Sequence, residues 1–530
     1  MMMSDKKVRL VAADELQDGE KRAFEVADSK IVLGRVGSDY FAVSGSCPHY
    51  GAPLEQGALA GHRLICPWHH ATFDIRSGDL LEPPSRDGLC SYPVEIEDGD
   101  VYVRVPEQLP ASCPPDMTDT KDSDRTCLIL GAGAAGNAAA QSMRENGFTG
   151  RIVMVTRESR LPYDRPNLSK EYLQGQAEPD WIPLRDEKFY KDHGIEIMSE
   201  REATAIDTEK QTAIFKDGES IQYDQLLLAT GGVPRSLDVP GSDLDGVFTL
   251  RSHDDADRII EAADNASRAV VVGASFIAME VAASLRERDV TVTVVAPEDT
   301  PMESVFGEQF GRAIQHRYEG EGITFKMKAG VAEFAGSDKL EKVILDSDES
   351  LDADFVVVGI GVDPATKTLD GLQLESDGSV RVDDHLRVTD NVYAAGDVAT
   401  FTDWRTDRPI RIEHWRTAEQ HGRLAGANMA GGDETYRGVP FFWTSLGQLQ
   451  VGYVGHCPEW DDIIFDGEVK SESFIAYFVH GDAVRAAVGV GRGEELAAVD
   501  ELMRRDELPS PDALRVGDVD LRRELRKQLA

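Results

Sequence analysis

Cysteine is scarce in this chain, with six in 530 residues. That is far below the density of a disulfide scaffold, so each one is read by its neighbours. Basic residues are short as well: 56 Lys+Arg stand against 95 Asp+Glu, a formal charge of −39. The deficit argues against DNA, RNA or an anionic membrane as partner, because phosphates are bound by Lys and Arg in exchange for counterions. There is no run of 18 or more apolar residues, and the opening MMMSDKKVRLVAADELQDGE lacks the apolar core of a secretory signal. The expectation is a cytoplasmic protein that does not cross a membrane. Among the bases Arg outnumbers Lys, a balance suited to an acidic surface in strong salt, so a halophilic setting is expected. What remains is ordinary: 41% hydrophobic and 28% charged residues, and a length that suggests three to four domains at about 150 residues each.

Between Val8 and Val105, short runs such as KIVLGRVG, YFAVSG, HRLICPW and DVYVRVP are separated by Gly, Asp and Pro and show no helical period. This reads as an all-β module, 1–107. The following LPASCPPDMTDTKDSD is rich in Pro, Ser, Thr and Asp, so 108–124 reads as a linker and Cys113 within it as a bystander. Inside the β module, Cys47-Pro-His49 and Cys66-Pro-Trp-His69 form one Cys-x-His pair and one Cys-x2-His pair, each beside a proline. Two thiolates and two imidazoles can hold a structural zinc. Zinc knuckles more often repeat one kind of pair, and the set matches the two-Cys, two-His ligation of a [2Fe-2S] centre.

After the linker, Thr126 to Leu130 reads as a buried strand running into Gly131-Ala-Gly133-Ala-Ala-Gly136 and a helix, with a second strand, Arg151 to Thr156, ending near Glu158. In that context the glycines let the backbone approach a pyrophosphate at a helix N-terminus, and Glu158 is spaced to grip a ribose hydroxyl. A degenerate copy follows at Gly273-Ala-Ser275-Phe-Ile-Ala278. Ala278 is acceptable where helix packs on strand, whereas Ser275 puts a side chain where a pyrophosphate would approach. Glu298 is the nearest acid for a ribose 2′-hydroxyl, and no base lies in the adjoining VVAPEDTPMES, which leans towards NADH over NADPH. LLLATGG, with Thr230 and Gly231, and VYAAGDVAT, with Asp397, read as strands ending in small residues. Two copies about 140 residues apart, the first completed late, point to a flavin fold interrupted by a nicotinamide fold. The expected divisions are 125–252 and 379–434 for FAD, 253–378 for NAD(P)H, and an α+β domain over 435–530.

The stretches CPHYGAPLEQGAL and LICPWHHATFDIRSG resemble the Rieske ferredoxins. The order GAGAAG, LPYDRPNLSK, ATGG, GASFIAME, VVVGIGVDP, AAGDVA resembles the ferredoxin-reductase branch of FAD pyridine-nucleotide oxidoreductases. With VPFFWTSLGQLQVGYVG near the end, the whole chain resembles Rieske-containing apoptosis-inducing factor-like reductases. The resemblance implies that Cys47 and Cys66 bind one iron and His49 and His69 the other. Family members carrying a stapling Cys in each loop have high potentials; Ala52 and Trp68 stand there instead, which implies a potential on the order of −150 mV. His70 replaces a common Gly and reads as a solvated loop histidine.

For the flavin half, the resemblance implies contacts from Arg165, Arg251, Ala203, His414 and Trp415, and a catalytic Lys170–Glu280 pair beside the flavin and nicotinamide. Asn167 replaces a Pro common in that family. Gly361 joins the NAD set.

No Cys lies between Arg157 and Gln176, where disulfide reductases of this superfamily carry theirs, so thiol chemistry is not expected. His414 and His421 stand seven apart without the carboxylate of an oxygenase iron site. Cys90, Cys127 and Cys457 lie outside any paired spacing and read as plain thiols. The reading is an NAD(P)H-dependent FAD reductase that passes electrons to its own Rieske cluster and on to a downstream redox protein or oxygenase. The alternatives are an NADH oxidase or a redox-sensing interaction protein. Oligomeric state has no signature here.

Overall fold

The computed structural model describes residues 6–26, 28–118, 120, 124–178, 181–367 and 369–527. They fall into two compact units. One comprises Met1–Met117, Arg437–Trp443 and Val451–Ala530; the other comprises Thr118–Tyr436 and Thr444–Gln450.

In the first unit, the β module is built of short antiparallel strands, as Gly/Asp/Pro punctuation between β-branched runs dictates. Lys6–Ala12, Asp100–Val105 and Val94–Glu97 form one sheet; Lys21–Val26, Ser29–Val36, Asp39–Ser44 and Ser91–Tyr92 form a second. A third consists of the short strands Ala58–Ala60, Arg63–Ile65, Thr72–Asp74 and Leu80–Glu82; Cys66 and His69 lie at the turn between its second and third strands, and Cys47 and His49 in the loop that follows Asp39–Ser44. The reading of Cys90 and Cys113 is overturned: they form a disulfide across 23 positions. The pair is made by the fold, since Gly88 and Cys113 exchange backbone hydrogen bonds of 3.0 and 3.1 Å, and spacing along the chain could not disclose it. Cys113 and Leu109 pack on the module's core, so this part of the linker is held down.

The same unit contains the C-terminal α+β domain apart from residues 444–450. Its five-stranded sheet runs Phe441–Leu446, Leu449–Gly455, Ala483–Val490, Ser473–His480, Asp462–Glu468, with the helix Gly493–Arg504 packed on it. One core joins this domain to the β module: Ala58, Ala60 and Ile65 share a buried cluster with Phe441, Leu496 and Tyr477.

The second unit holds two parallel sheets. In the first, Thr126–Leu130 lies between Arg151–Val155 and Gln225–Leu228, and Val392–Ala394 pairs in parallel with Gln225–Leu228. A strand from beyond residue 390 thus completes the first fold, as the interrupted arrangement requires. The second sheet runs Val247–Thr249, Phe355–Val358, Arg268–Val272, Thr291–Ala296, Thr324–Met327, and its first strand lies just before the expected division at 253. These strands read as unbroken apolar runs because both faces are covered. Among the described residues no helix is long and apolar enough to cross a membrane.

Candidate functional site

The four metal-type residues of the β module converge. Both ligand turns are closed in the same way: the Cys47 N–H donates to Ala52 O and the Cys66 N–H to Ala71 O, each 2.9 Å. The two cysteines are buried and their thiols are hydrogen-bonded to each other, which raises Cys47, with burial adding to the effect. Burial also opposes ionisation of Cys66, but the Cys47 bond and the backbone N–H groups of Trp68 and His69 outweigh it and lower that thiol. The N–H groups of His49 and Tyr50 serve Cys47 in the same way. Backbone donors aimed at sulfur suit anionic thiolates and an iron–sulfur group. His49 Nδ1 and His69 Nδ1 approach to 3.0 Å, so the two imidazole nitrogens stand side by side. Burial, and secondarily Arg86, drops the His49 ring to about 3, so it is neutral as ligation requires. These residues fit a [2Fe-2S] centre.

His70 corrects the sequence reading. It is fully buried, at 0% exposure, because its ring stacks on Phe441, centroids 3.8 Å apart, and its Nδ1 lies 2.7 Å from Asp500 Oδ2. Trp443, two residues along the same strand and so on the same face, packs on His69 at 4.3 Å and on His49 at 6.0 Å.

In the second unit the first glycine motif has the geometry a dinucleotide needs. A Cβ on Gly136 would stand 1.9 Å from Gly131 O, so the helix Ala134–Glu145 sits hard against the preceding turn. A Cβ on Gly133, at the N-cap, would meet nothing within 4 Å. That open space at a helix N-terminus is where a pyrophosphate belongs. Around it, four residues singled out in sequence form a chain. Arg165 donates to Glu158 at 2.9 Å and to the Arg251 carbonyl, and Arg251 donates to Asp397 at 2.8 Å. A capping box sets Arg251: Asp255, at N3 of the helix His253–Asp264, accepts from the Ser252 and Arg251 N–H groups. Gly231, in the left-handed region at φ 71°, lies against the Arg251 guanidinium, where a Cβ would be 3.2 Å away. Thr230 precedes it. His414 caps the helix Trp415–Met429, and Trp415 packs at the edge of the core. Ala203 opens a separate three-stranded sheet.

Lys170 and Glu280, both buried, are joined at 2.8 Å. Ser169 Oγ donates to the same carboxylate oxygen at 2.5 Å and Thr444 Oγ1 to the other at 2.7 Å. Ser284, one turn after Glu280, donates to Ser169 O at 2.7 Å, so one helix face holds the whole pair. Asn167 is buried in the turn that presents Lys170, whose N–H donates to Asn167 O at 3.1 Å.

In the second motif a Cβ on Gly273 would stand 2.3 Å from Gly359 O, and one on Gly359 3.1 Å from the Ala278 Cβ. Ala278 therefore occupies the close helix–strand contact. Ser275 is exposed at the N-cap and makes no side-chain cap bond. Glu298 is exposed after its strand, and Gly361, at φ 98°, accepts from the Arg235 N–H at 3.0 Å. The fold also brings up Lys328, whose N–H donates to Glu298 O and whose ammonium pairs with Asp299 at 3.1 Å. It lies beyond the VVAPEDTPMES stretch.

Residues 125–422 match the pyridine nucleotide-disulphide oxidoreductase family. The chain belongs to that family. This oxidoreductase also matches the Rieske [2Fe-2S] domain over residues 6–93 and the reductase C-terminal family over 441–525. It is 37% identical to apoptosis-inducing factor 3 of Homo sapiens over 96% of its own length and 84% of that protein. It is 31% identical to rhodocoxin reductase of Rhodococcus erythropolis over 74% of its length and 93% of the relative. Among solved structures, the covalent putidaredoxin reductase–putidaredoxin complex superposes with TM-score 0.71 at 28% identity, covering 76% of this chain and 99% of that one. The oxidoreductase is thus a ferredoxin-reductase-type FAD enzyme that uses NAD and carries a Rieske domain.

Sequence reasoning missed Trp443, Phe441, Asp500, Ser169 and Thr444. The Phe-Phe-Trp-Thr run was a visible signal of something unusual on a strand. Asp500, on an amphipathic helix, had none.

Proposed function

We propose that this enzyme passes electrons from NADH through FAD to its own Rieske cluster and then to a downstream one-electron carrier or oxygenase. Bound FAD would supply the chemistry that couples a two-electron hydride donor to a one-electron acceptor, with a proton released to solvent. The protein contributes position. Glu158, Arg165, Arg251, Asp397, Thr230 and the Gly131–Gly136 turn would bind the flavin nucleotide, with Ala203, His414 and Trp415 completing its surroundings. Gly273, Ser275, Ala278, Glu298 and Gly361 would bind the nicotinamide nucleotide. Lys170 and Glu280 act as one unit: the carboxylate, held by Ser169 and Thr444, fixes the ammonium so that both can face the nicotinamide and the flavin edge.

The observation that carries the relay is Trp443. It lies in the reductase C-terminal family segment, yet it packs on both ligand histidines; the next residue, Thr444, holds Glu280. Anaerobic stopped-flow tests the reading: on adding NADH, flavin bleaching should be followed by cluster reduction at a rate independent of protein concentration. A cluster that stays oxidised beside fully reduced flavin overturns it. Cys66→Ser should abolish the cluster spectrum while FAD remains bound.

A further inference from the structure

The relay needs the cluster to be held at one position, and the ligand turn Cys66–His69 is gripped at both ends by one helix, Gly493–Arg504. At its start, Gly493 lies so close to Pro67 that a Cβ would stand 2.5 Å from the Pro67 carbonyl. At its end, Asp500 takes His70 at 2.7 Å, and the adjacent Glu501, 1% exposed, takes Arg63 at 3.1 Å. Arg63 opens the strand that leads into Cys66; His70 follows His69 directly. Leu496, between the two grips, packs into the cluster with Ala58, Ala60 and Ile65.

His70 also pays a conformational cost. Its φ is 57°, a left-handed backbone that is strained for a residue with a Cβ and that glycine adopts freely. At this position the side chain gains contacts that a glycine would lack. The ring's surroundings supply that gain: Phe441 covers one face, Asp500 meets Nδ1, and Thr72 Oγ1 donates to the His70 carbonyl at 3.1 Å.

We propose that His70, held by Asp500 and Phe441, is a positioning residue that latches the second cluster-ligand turn onto the reductase C-terminal domain. The latch rests on the relay reading: it keeps the cluster docked as a built-in acceptor, in place of a carrier that would arrive by diffusion.

The test compares the full-length holoenzyme with His70→Gly, which relieves the backbone and removes the ring, and Asp500→Ala, which leaves the ligand turn's own sequence intact. Cluster content is read by EPR integration, flavin reduction by NADH and flavin-to-cluster transfer by stopped-flow, and mobility of 66–71 by hydrogen exchange. Both variants should keep the cluster and the rate of flavin reduction, exchange faster over 66–71, and transfer to the cluster roughly tenfold more slowly or worse, the change that about 1.4 kcal/mol makes to a docking equilibrium. Transfer within twofold of the parent, with the cluster intact, overturns the latch and leaves the relay standing. If both variants lose the cluster, the contact builds the centre and does not position it, and the latch fails. Absence of transfer in the parent itself removes the relay and the latch together.

Discussion

Glu280 accepts from three side chains, Lys170, Ser169 and Thr444, and is buried with them. Breaking a buried pair by removing one charge leaves the other uncompensated. Glu280→Gln keeps the shape but offers one acceptor oxygen in place of two, so Ser169 or Thr444 loses its acceptor and the Lys170 ammonium loses its counter-charge. NADH should then reduce the flavin about tenfold more slowly, a barrier change of about 1.4 kcal/mol, with FAD still bound; anaerobic single-turnover absorbance at the flavin band measures it. Both charged partners were legible in sequence through resemblance. Ser169 and Thr444 were not, because a hydroxyl's role depends on what it faces. The thiols divide in the same way. Cys127 and Cys457 remain thiols, pushed up by burial to about 12 and about 11, while Cys90 and Cys113 meet only because two distant backbone segments pair.

At the scale of elements, two of the three glycines of the first motif, Gly133 and Gly136, do different jobs although sequence treats them alike. Gly136→Ala drives a methyl into the Gly131 carbonyl, 1.9 Å away, and should destabilise the whole first fold. Gly133→Val leaves the protein packing untouched and fills the space the pyrophosphate needs. Circular dichroism should therefore show native melting for Gly133→Val with FAD absent after purification, and an early or broadened transition for Gly136→Ala. The helix Gly493–Arg504 supplies the second case. Burial disfavours the Glu501 charge, but Arg504, Arg63 and Arg505 outweigh it and hold the carboxyl below its usual range. A depressed folded-state value means stabilisation present above the unfolded value of about 4.3 and lost as pH falls through the folded one. Glu501→Gln should lower the stability of the first unit at neutral pH by up to about 3 kcal/mol, and the gap from the parent should close as pH is taken below about 4. Denaturant melts at several pH values give both numbers.

For the whole molecule the governing quantity is the charge of −39. An acidic diffusing carrier is repelled at low salt, whereas a cluster on the same chain involves no encounter. At 1 M salt the screening length is about 3 Å and long-range repulsion is lost. Steady-state transfer to an added acidic ferredoxin should rise with salt, while flavin-to-cluster transfer within the chain stays constant over the same range. If the internal step tracks salt as the external one does, the cluster is being reached between molecules.

The amino-acid sequence determined the domain order from its own patterns and the cofactors through the resemblance of its motifs to known families. Period-2 runs, glycine turns beside strands and the paired Cys/His spacing are local features whose physics does not depend on the rest of the chain. His70 shows where that ends: in sequence it is one more loop residue, and its burial is created by Phe441 and Asp500, some 370 and 430 positions away. The tertiary structure decided which charges pair, which cysteines bond and that the β module shares a core with the C-terminal domain, because each of these is a contact between segments that local periodicity cannot see.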